Sequence, residues 1–248
     1  MKVIISPAKN MRIVKKEEII LTNPLYIKQA KQLVSILKQN TPYELESLMH
    51  INTKLAMETY VDFQNWTEKK QETPALLAYH GLQFKNIDPD TFTKEDFEFA
   101  SETVRILSGL YGILKAFDQV CPYRLEMQCK LDIDGKNLYG FWGDSIYKEL
   151  FQDKEMVINL ASKEYSSVVE PYLIPSDRMI TCDFKIMKSG KLRTLATEAK
   201  MARGQMVRYI IKNHINNPKA LKEFSWNDYF FDPLQSLGNK FTFIKSIT

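Results

Sequence analysis

The sequence predicts a mixed α/β fold: a compact mixed β-sheet flanked by helices, with a helical helix-hairpin-helix-like element near the amino terminus. Three observations predict it. Short apolar, β-branched runs alternate with stretches of helical spacing, the pattern of parallel strands fed by helical crossovers. Two further runs, Met179 to Met187 and Lys191 to Ala196, face each other across Ser189-Gly190 and call for an antiparallel hairpin in the same sheet. No low-complexity segment, internal repeat or linker divides the 248 residues, so a single domain over 1–248 is expected, long enough to bury a substantial core.

In chain order, Lys2 to Ser6 is a predicted buried strand, short, β-branched and ended by Pro7. Asn23-Pro24 has the form of an N-cap and a first-turn proline, and Ile27, Ala30, Val34 and Leu37 then recur at helical steps. Asn40-Thr41-Pro42 breaks that helix, and Thr41 and Glu44 have capping-box spacing for the next, with Leu45, Leu48 and Met49 on one face. A third helix is predicted from Asn52 or Thr53, with Ala56, Tyr60 and Phe63 inward. This helical subregion, about residues 24–66, suits either a helix-hairpin-helix element or an ordinary packed helical hairpin; the glycine common in such turns is absent around Asn40 to Pro42.

Thr67 to Pro74 is polar and predicted as a loop, and Ala75 to Tyr79 as a second buried strand ending at His80-Gly81. Thr93 caps a helix that turns Phe97 and Ala100 inward and carries acids in its first turn, where they complement the helix dipole. Val104 to Leu107, Leu138 to Trp142 and Met156 to Leu160 are the central strand candidates. The last clear element is a helix over Thr197 to Asn213. Ala199, Ala202, Met206, Tyr209 and Ile210 form one apolar stripe, while Val207 and Ile211 lie nearly opposite, so the helix should be largely buried. Lys200 and Arg203 fall on the Val207 side and are expected to be a semi-buried cation pair that needs protein carboxylates or a ligand phosphate. Arg208 and Lys212 are expected to be solvated.

Composition narrows the function. With 44% apolar and 26% charged residues the chain has a globular balance, and its first residues hold neither a secretory signal nor a membrane span, so a cytoplasmic location is expected. Cys121, Cys129 and Cys182 form no Cys-x-x-Cys and suit reduced, partly buried thiols. Net charge is only +4, but between Lys185 and Lys222 ten basic residues are opposed by Glu198 alone. Such a segment suits a polyanion, a solvated basic face being the alternative.

Five apolar runs end abruptly in polar clusters: Ser6-Pro7-Ala8-Lys9, Ser108-Gly109-Leu110-Tyr111-Gly112, Pro122-Tyr123-Arg124-Leu125-Glu126-Met127, Phe141-Trp142-Gly143-Asp144 and Ala161-Ser162-Lys163-Glu164-Tyr165. In open sheets with helical crossovers, functional groups gather beyond the carboxyl ends of the strands, so these clusters are candidates to line one crevice. No Walker A loop, dinucleotide fingerprint, zinc-protease motif or nucleophile elbow is present. His50, His80 and His214 follow no metal-ligand spacing, so no dedicated metal site or cofactor is expected. The possible acid/base set is Glu126, Glu164, Tyr123 and Tyr165 beside Lys9 and Arg124.

Taken with Asn52-Thr53-Lys54-Leu55-Ala56 and Ala202-Arg203-Gly204, these strings in order over nearly the whole chain resemble the YaaA family of bacterial peroxide-stress proteins. The resemblance implies a cytoplasmic protein that protects against hydrogen peroxide and helps keep unincorporated intracellular iron low. It also implies a compact α/β fold with a positively charged cleft that binds double-stranded or structurally distorted DNA. By motif, the cleft residues it implies are Ser6, Lys9, Lys54, Tyr123, Arg124, Glu126, Asn159, Ser162 and Arg203, with Lys200 in the adjoining basic stretch; it implies no established catalytic residue. The leading expectation is therefore a DNA backbone held by Lys9, Lys54, Arg124, Lys200 and Arg203, with a small phosphorylated ligand also possible. The alternative is an enzyme, a hydrolase of nucleotides or modified nucleobases, with Glu126 as acid/base and Asn159, Ser162 and Tyr165 positioning the sugar or base.

Overall fold

The computed structural model describes residues 1–68 and 73–246, so the loop predicted at 67–74 lies partly outside the described residues. The chain starts with β1 (Lys2–Ile5) and three helices, α1 (Ile27–Leu37), α2 (Pro42–Met49) and α3 (Thr53–Asn65). A two-residue strand β2 (Thr73–Pro74) leads to short helices α4 (Ala75–Ala78) and α5 (Leu82–Ile87), then to α6 (Lys94–Thr103). There follow β3 (Val104–Ser108), β4 (Gly112–Lys115), β5 (Gln119–Val120), α7 (Leu138–Trp142), α8 (Ser145–Phe151) and β6 (Val157–Leu160). The remainder is α9 (Lys163–Ser166), β7 (Met179–Lys188), β8 (Lys191–Arg193), α10 (Ala196–Lys212), β9 (Tyr229–Phe231) and β10 (Lys240–Ser246).

The main sheet runs β4-β3-β1-β6-β7-β10-β9, with β8 folded back on β7. Its five central strands are parallel and its edge strands β4 and β9 antiparallel, so the expected mixed sheet is present. β1 is the hub: Val3 pairs with Val104 of β3 on one side and Ile158 of β6 on the other, and Val3, Ile4 and Ile5 are fully buried. A strand buried on both faces is why this run is continuously apolar and not alternating. The chain winds outward to β3 first and then returns past β1 to β6. The winding direction therefore reverses between β1 and β6, and the crevice beyond their carboxyl ends is where such sheets hold ligands. Among the described residues no helix is long and apolar enough to cross a membrane.

Several local signals act as expected. Thr41 and Glu44 form a reciprocal capping box at α2, Asn52 caps α3 through Leu55 N, and Thr93 with Asp96 boxes α6. Three differ. Ala75–Ala78 is a helical turn, not a strand: its four residues are buried on every side, and a short apolar run has no period by which helix and strand can be told apart. Leu138–Trp142 is likewise a helix, because the Asn137 side chain accepts from Gly140 N at 2.9 Å and starts a turn that drives Trp142 into the core. α1 begins at Ile27, three residues later than Pro24 suggests; the Asn23 side chain is taken by Gln119 and does not cap the helix.

α10 lies directly on α5. A Cβ added at Gly204 would stand 2.3 Å from Gln83 O, so glycine here lets two backbones touch. Arg208 and Lys212, expected to be solvated, fasten α10 in place, Arg208 to the end of α5 and the turn after it and Lys212 to α6. Arg208 Nη1 donates to Ile87 O (3.0 Å), Asp88 O (3.1 Å) and Thr91 Oγ1 (2.8 Å), and Lys212 Nζ donates to Asp96 Oδ2 at 2.6 Å. Their partners are more than a hundred residues away in the chain, beyond the reach of a helical-wheel argument.

Candidate functional site

A cleft of about 460 Å³ opens at the β1/β6 reversal. Ser6 follows β1 and Ser162 follows β6, and they tie the two strand ends together: Ser162 N donates to Ser6 Oγ at 2.8 Å, and Ser6 Oγ donates to Ser162 Oγ at 3.2 Å. Lys9 comes from the loop beyond β1, and His80 and Gln83 come from the α4–α5 junction. Tyr123, Arg124 and Glu126 come from the loop after β5, Glu164 and Tyr165 from α9, and Lys200 and Arg203 from α10. Four cations thus share the cleft with two carboxylates.

The charges are not evenly mixed. Lys9 Nζ lies 2.7 Å from Glu126 Oε1, so the proposed acid/base carboxylate is already ion-paired. Glu164 accepts weakly from Gln128 N at 3.4 Å; burial raises its pKa, and the neighbouring Glu126 charge adds to the rise. Arg203 is half-buried, and burial works against its charge while Asp183 and Cys182 favour it. Its Nε is shielded from solvent with no hydrogen-bond partner among the described residues. A shielded guanidinium donor without an acceptor carries a desolvation cost that an incoming anion would relieve.

The tyrosines form the cleft's neutral wall. Tyr123 OH shares hydrogen bonds with Ser108 Oγ (2.6 Å) and Tyr79 OH (2.7 Å), and burial pushes its pKa up to about 12. Tyr165 is buried too, and its pKa is pushed well above the ordinary phenol value. Neither is a ready base at neutral pH.

Of the sequence-predicted set, Ser6, Lys9, Tyr123, Arg124, Glu126, Ser162, Lys200 and Arg203 line one cleft. Lys54 and Asn159 do not. Lys54 is exposed on α3, where it borders a separate shallow depression with Met57, Glu58 and Asp62, because α3 turns Ala56, Thr59 and Phe63 inward instead. Asn159 is 2% exposed and structural: its Nδ2 donates to Thr181 Oγ1 at 3.2 Å and its Oδ1 accepts from Ala161 N at 3.0 Å. The semi-buried pair on α10 is only half right, since Arg203 is half-buried but Lys200 is exposed at the cleft rim. Sequence reasoning missed His80 and Gln83. The one available signal was His80-Gly81, a polar break after an apolar run like the other five.

A second cleft of about 230 Å³ shares Arg124 and Glu126 and reaches Leu48, His50 and Lys130. It joins the strand-end site to the turn between α2 and α3, where His50 takes a left-handed φ of 51° and closes α2 by donating its N–H to Glu46 O. The two helices pack against each other. Among the described residues, no group of three or more His, Cys, Asp or Glu is placed to hold a metal ion.

Comparison with known proteins places this geometry in a wide family. Residues 1–235 match the family described as "Peroxide stress protein YaaA". Similar proteins include a UPF0246 protein of Ligilactobacillus salivarius, 45% identical over 99% of this chain and 100% of that protein. Others are UPF0246 proteins of Lactiplantibacillus plantarum, 44% identical over 98% and 99% of the two chains, and of Clostridioides difficile, 41% identical over 99% and 100%.

Proposed function

Since this chain belongs to the family of the peroxide stress protein YaaA, we propose that it acts in peroxide resistance by binding DNA at the β1/β6 cleft, and that this action helps keep unincorporated intracellular iron low. Arg203 carries the proposal: a half-buried guanidinium lines the cleft with a shielded Nε that has no hydrogen-bond partner among the described residues, beside the exposed Lys200. The second cleft supports it by continuing the groove from Arg124 to the α2–α3 turn, where the helical pair would flank the DNA as a helix-hairpin-helix does. Recognition would rest on phosphates, since among the described residues no helix presents an obvious row of Asn, Gln and Arg for base edges, and a cleft this small favours distorted over regular duplex.

Fluorescence anisotropy with intact and bulged oligonucleotides tests the proposal. The folded Lys200→Glu/Arg203→Glu double variant is expected to lose binding. Lys200→Ala alone should flatten the dependence of log K on log salt by about one unit. Unchanged affinity in the folded double variant rejects the proposal.

One observation keeps the enzymatic alternative: Glu126 and Glu164 share the cleft, and burial raises the pKa of Glu164. Incubation of nucleotides and damaged oligonucleotides with wild type and with Glu126→Gln checks it. DNA binding by both proteins with turnover by neither rejects catalysis.

A further inference from the structure

We infer that the cleft has two chemically distinct poles and takes a single nucleotide unit, its phosphate against Arg203 and Lys200 and its base against Glu164 and Tyr165. The inference rests on the nucleic-acid reading above and names what that site would hold: an unpaired, terminal or extruded nucleotide, with the rest of the strand outside.

The poles follow the elements that build the cleft: Lys200 and Arg203 stand on α10, Glu164 on α9 and Glu126 on the loop after β5. The charges that act on Glu164 are Glu126 and Lys9, and Lys9 is itself bonded to Glu126. The carboxylate that favours the Arg203 charge is Asp183, on strand β7. The cleft therefore has a basic end built by α10, with Lys200 and Arg203, and an end built by α9 and the loops after β1 and β5, where Glu126 and Glu164 offset Lys9 and Arg124. A uniformly polyanionic ligand would meet Glu126 and Glu164 as well as the cations, at a cost in like-charge repulsion. A nucleotide would not, because its charge is confined to one end.

Size and lining agree. A volume of about 460 Å³ falls in the range of about 300–1,000 Å³ typical of small-ligand sites, and a double helix cannot enter it. Beside Glu164 and Glu126 the lining has neutral side chains in Tyr165, Tyr123 and Leu125, two of them aromatic. Enzymes and readers that take a base out of the stack hold it between such groups and hydrogen-bond its pairing edge. The Glu164 carboxyl oxygens can accept from the N–H groups on a base's pairing edge. Arg124 borders both this cleft and the second one, where the next phosphate along the strand would pass.

Calorimetric titration tests the inference, using the four deoxynucleoside 5′-monophosphates, the matching nucleosides, inorganic phosphate, and a short duplex with or without one unpaired nucleotide. At least one monophosphate is expected to bind, and to bind at least about tenfold more weakly as the nucleoside or to Arg203→Gln. Lys200→Gln, at an exposed position whose change leaves the fold intact, should weaken the monophosphate in the same direction. Glu164→Gln should change the preference among the four bases while leaving the loss on removing phosphate unchanged. Inorganic phosphate binding as tightly as every nucleotide would overturn the two-pole inference, as would a nucleotide affinity indifferent to Lys200→Gln and Arg203→Gln. If the bulged duplex binds in a Lys200- and Arg203-dependent manner but no mononucleotide does, the inference fails and DNA binding stands; if neither binds, both fail.

Discussion

Glu164 stands where burial and a second carboxylate push in the same direction, and the consequence is a pH dependence of known sign. Its folded pKa lies above the ordinary 4.5, so the native state holds this proton more tightly than the unfolded chain does. Stability contributed by the protonated group is present below the unfolded pKa and is lost as pH rises through the folded one. Glu164→Gln should therefore raise the melting temperature relative to wild type at about pH 7, and the gap should close below about pH 4.5. Scanning calorimetry at the two pH values checks this, and equal destabilisation at both would show that the carboxylate is needed structurally. At this scale the strand-end residues Ser6, Lys9, Tyr123, Arg124, Glu126 and Ser162 were legible in the sequence, because a polar group just past a buried strand has few places to go except the crevice beyond it. Asn159 and Lys54 were not. Asn159 lies inside the strand, two residues before the chain leaves it at Ala161, and its side chain must satisfy backbone and Thr181. Lys54 depends on which face α3 buries, and two residues along a helix turn a side chain to nearly the opposite side.

Among the elements, α10 matters most to the site, since it alone supplies the cleft's basic end. Its placement hangs on Gly204, where α5 leaves no room for a Cβ. Gly204→Ala must push the helices apart and should cost about 1–3 kcal/mol, read as a lower urea midpoint with an unchanged slope. Because Arg203 is the preceding residue, the same variant should weaken DNA binding out of proportion to its unfolded fraction. Removing the Lys212–Asp96 bond by Lys212→Met should cost about 1.5 kcal/mol in the same assay, at the low end for a charged hydrogen bond because Lys212 is partly solvated. Helices with capping signals were legible from the sequence, α2, α3 and α6 above all. α4 and α7 were not, as each is a single turn of apolar residues buried on all sides, and only their surroundings decide between turn and strand.

Over the whole molecule, protection should follow the sheet order. Amides of β1, paired on both sides and fully buried, should exchange last, and those at the tip of the β7–β8 hairpin around Ser189 and Gly190 first. Hydrogen exchange followed by mass spectrometry checks this, and early exchange of β1 would contradict the sheet order. The class of fold was legible in the alternation of strand-like and helical runs; the order of the strands was not, since pairing β1 with both β3 and β6 joins residues about a hundred and more apart. That span also bears on biosynthesis. Ser6 is made almost two hundred residues before Arg203. A nascent chain ending near Arg193 already carries Lys9, Arg124, Glu126 and Glu164, two positive and two negative charges, and only the emergence of α10 makes the balance positive. The protein would thus acquire its attraction for polyanions late in synthesis, and a prematurely terminated fragment would have none to offer.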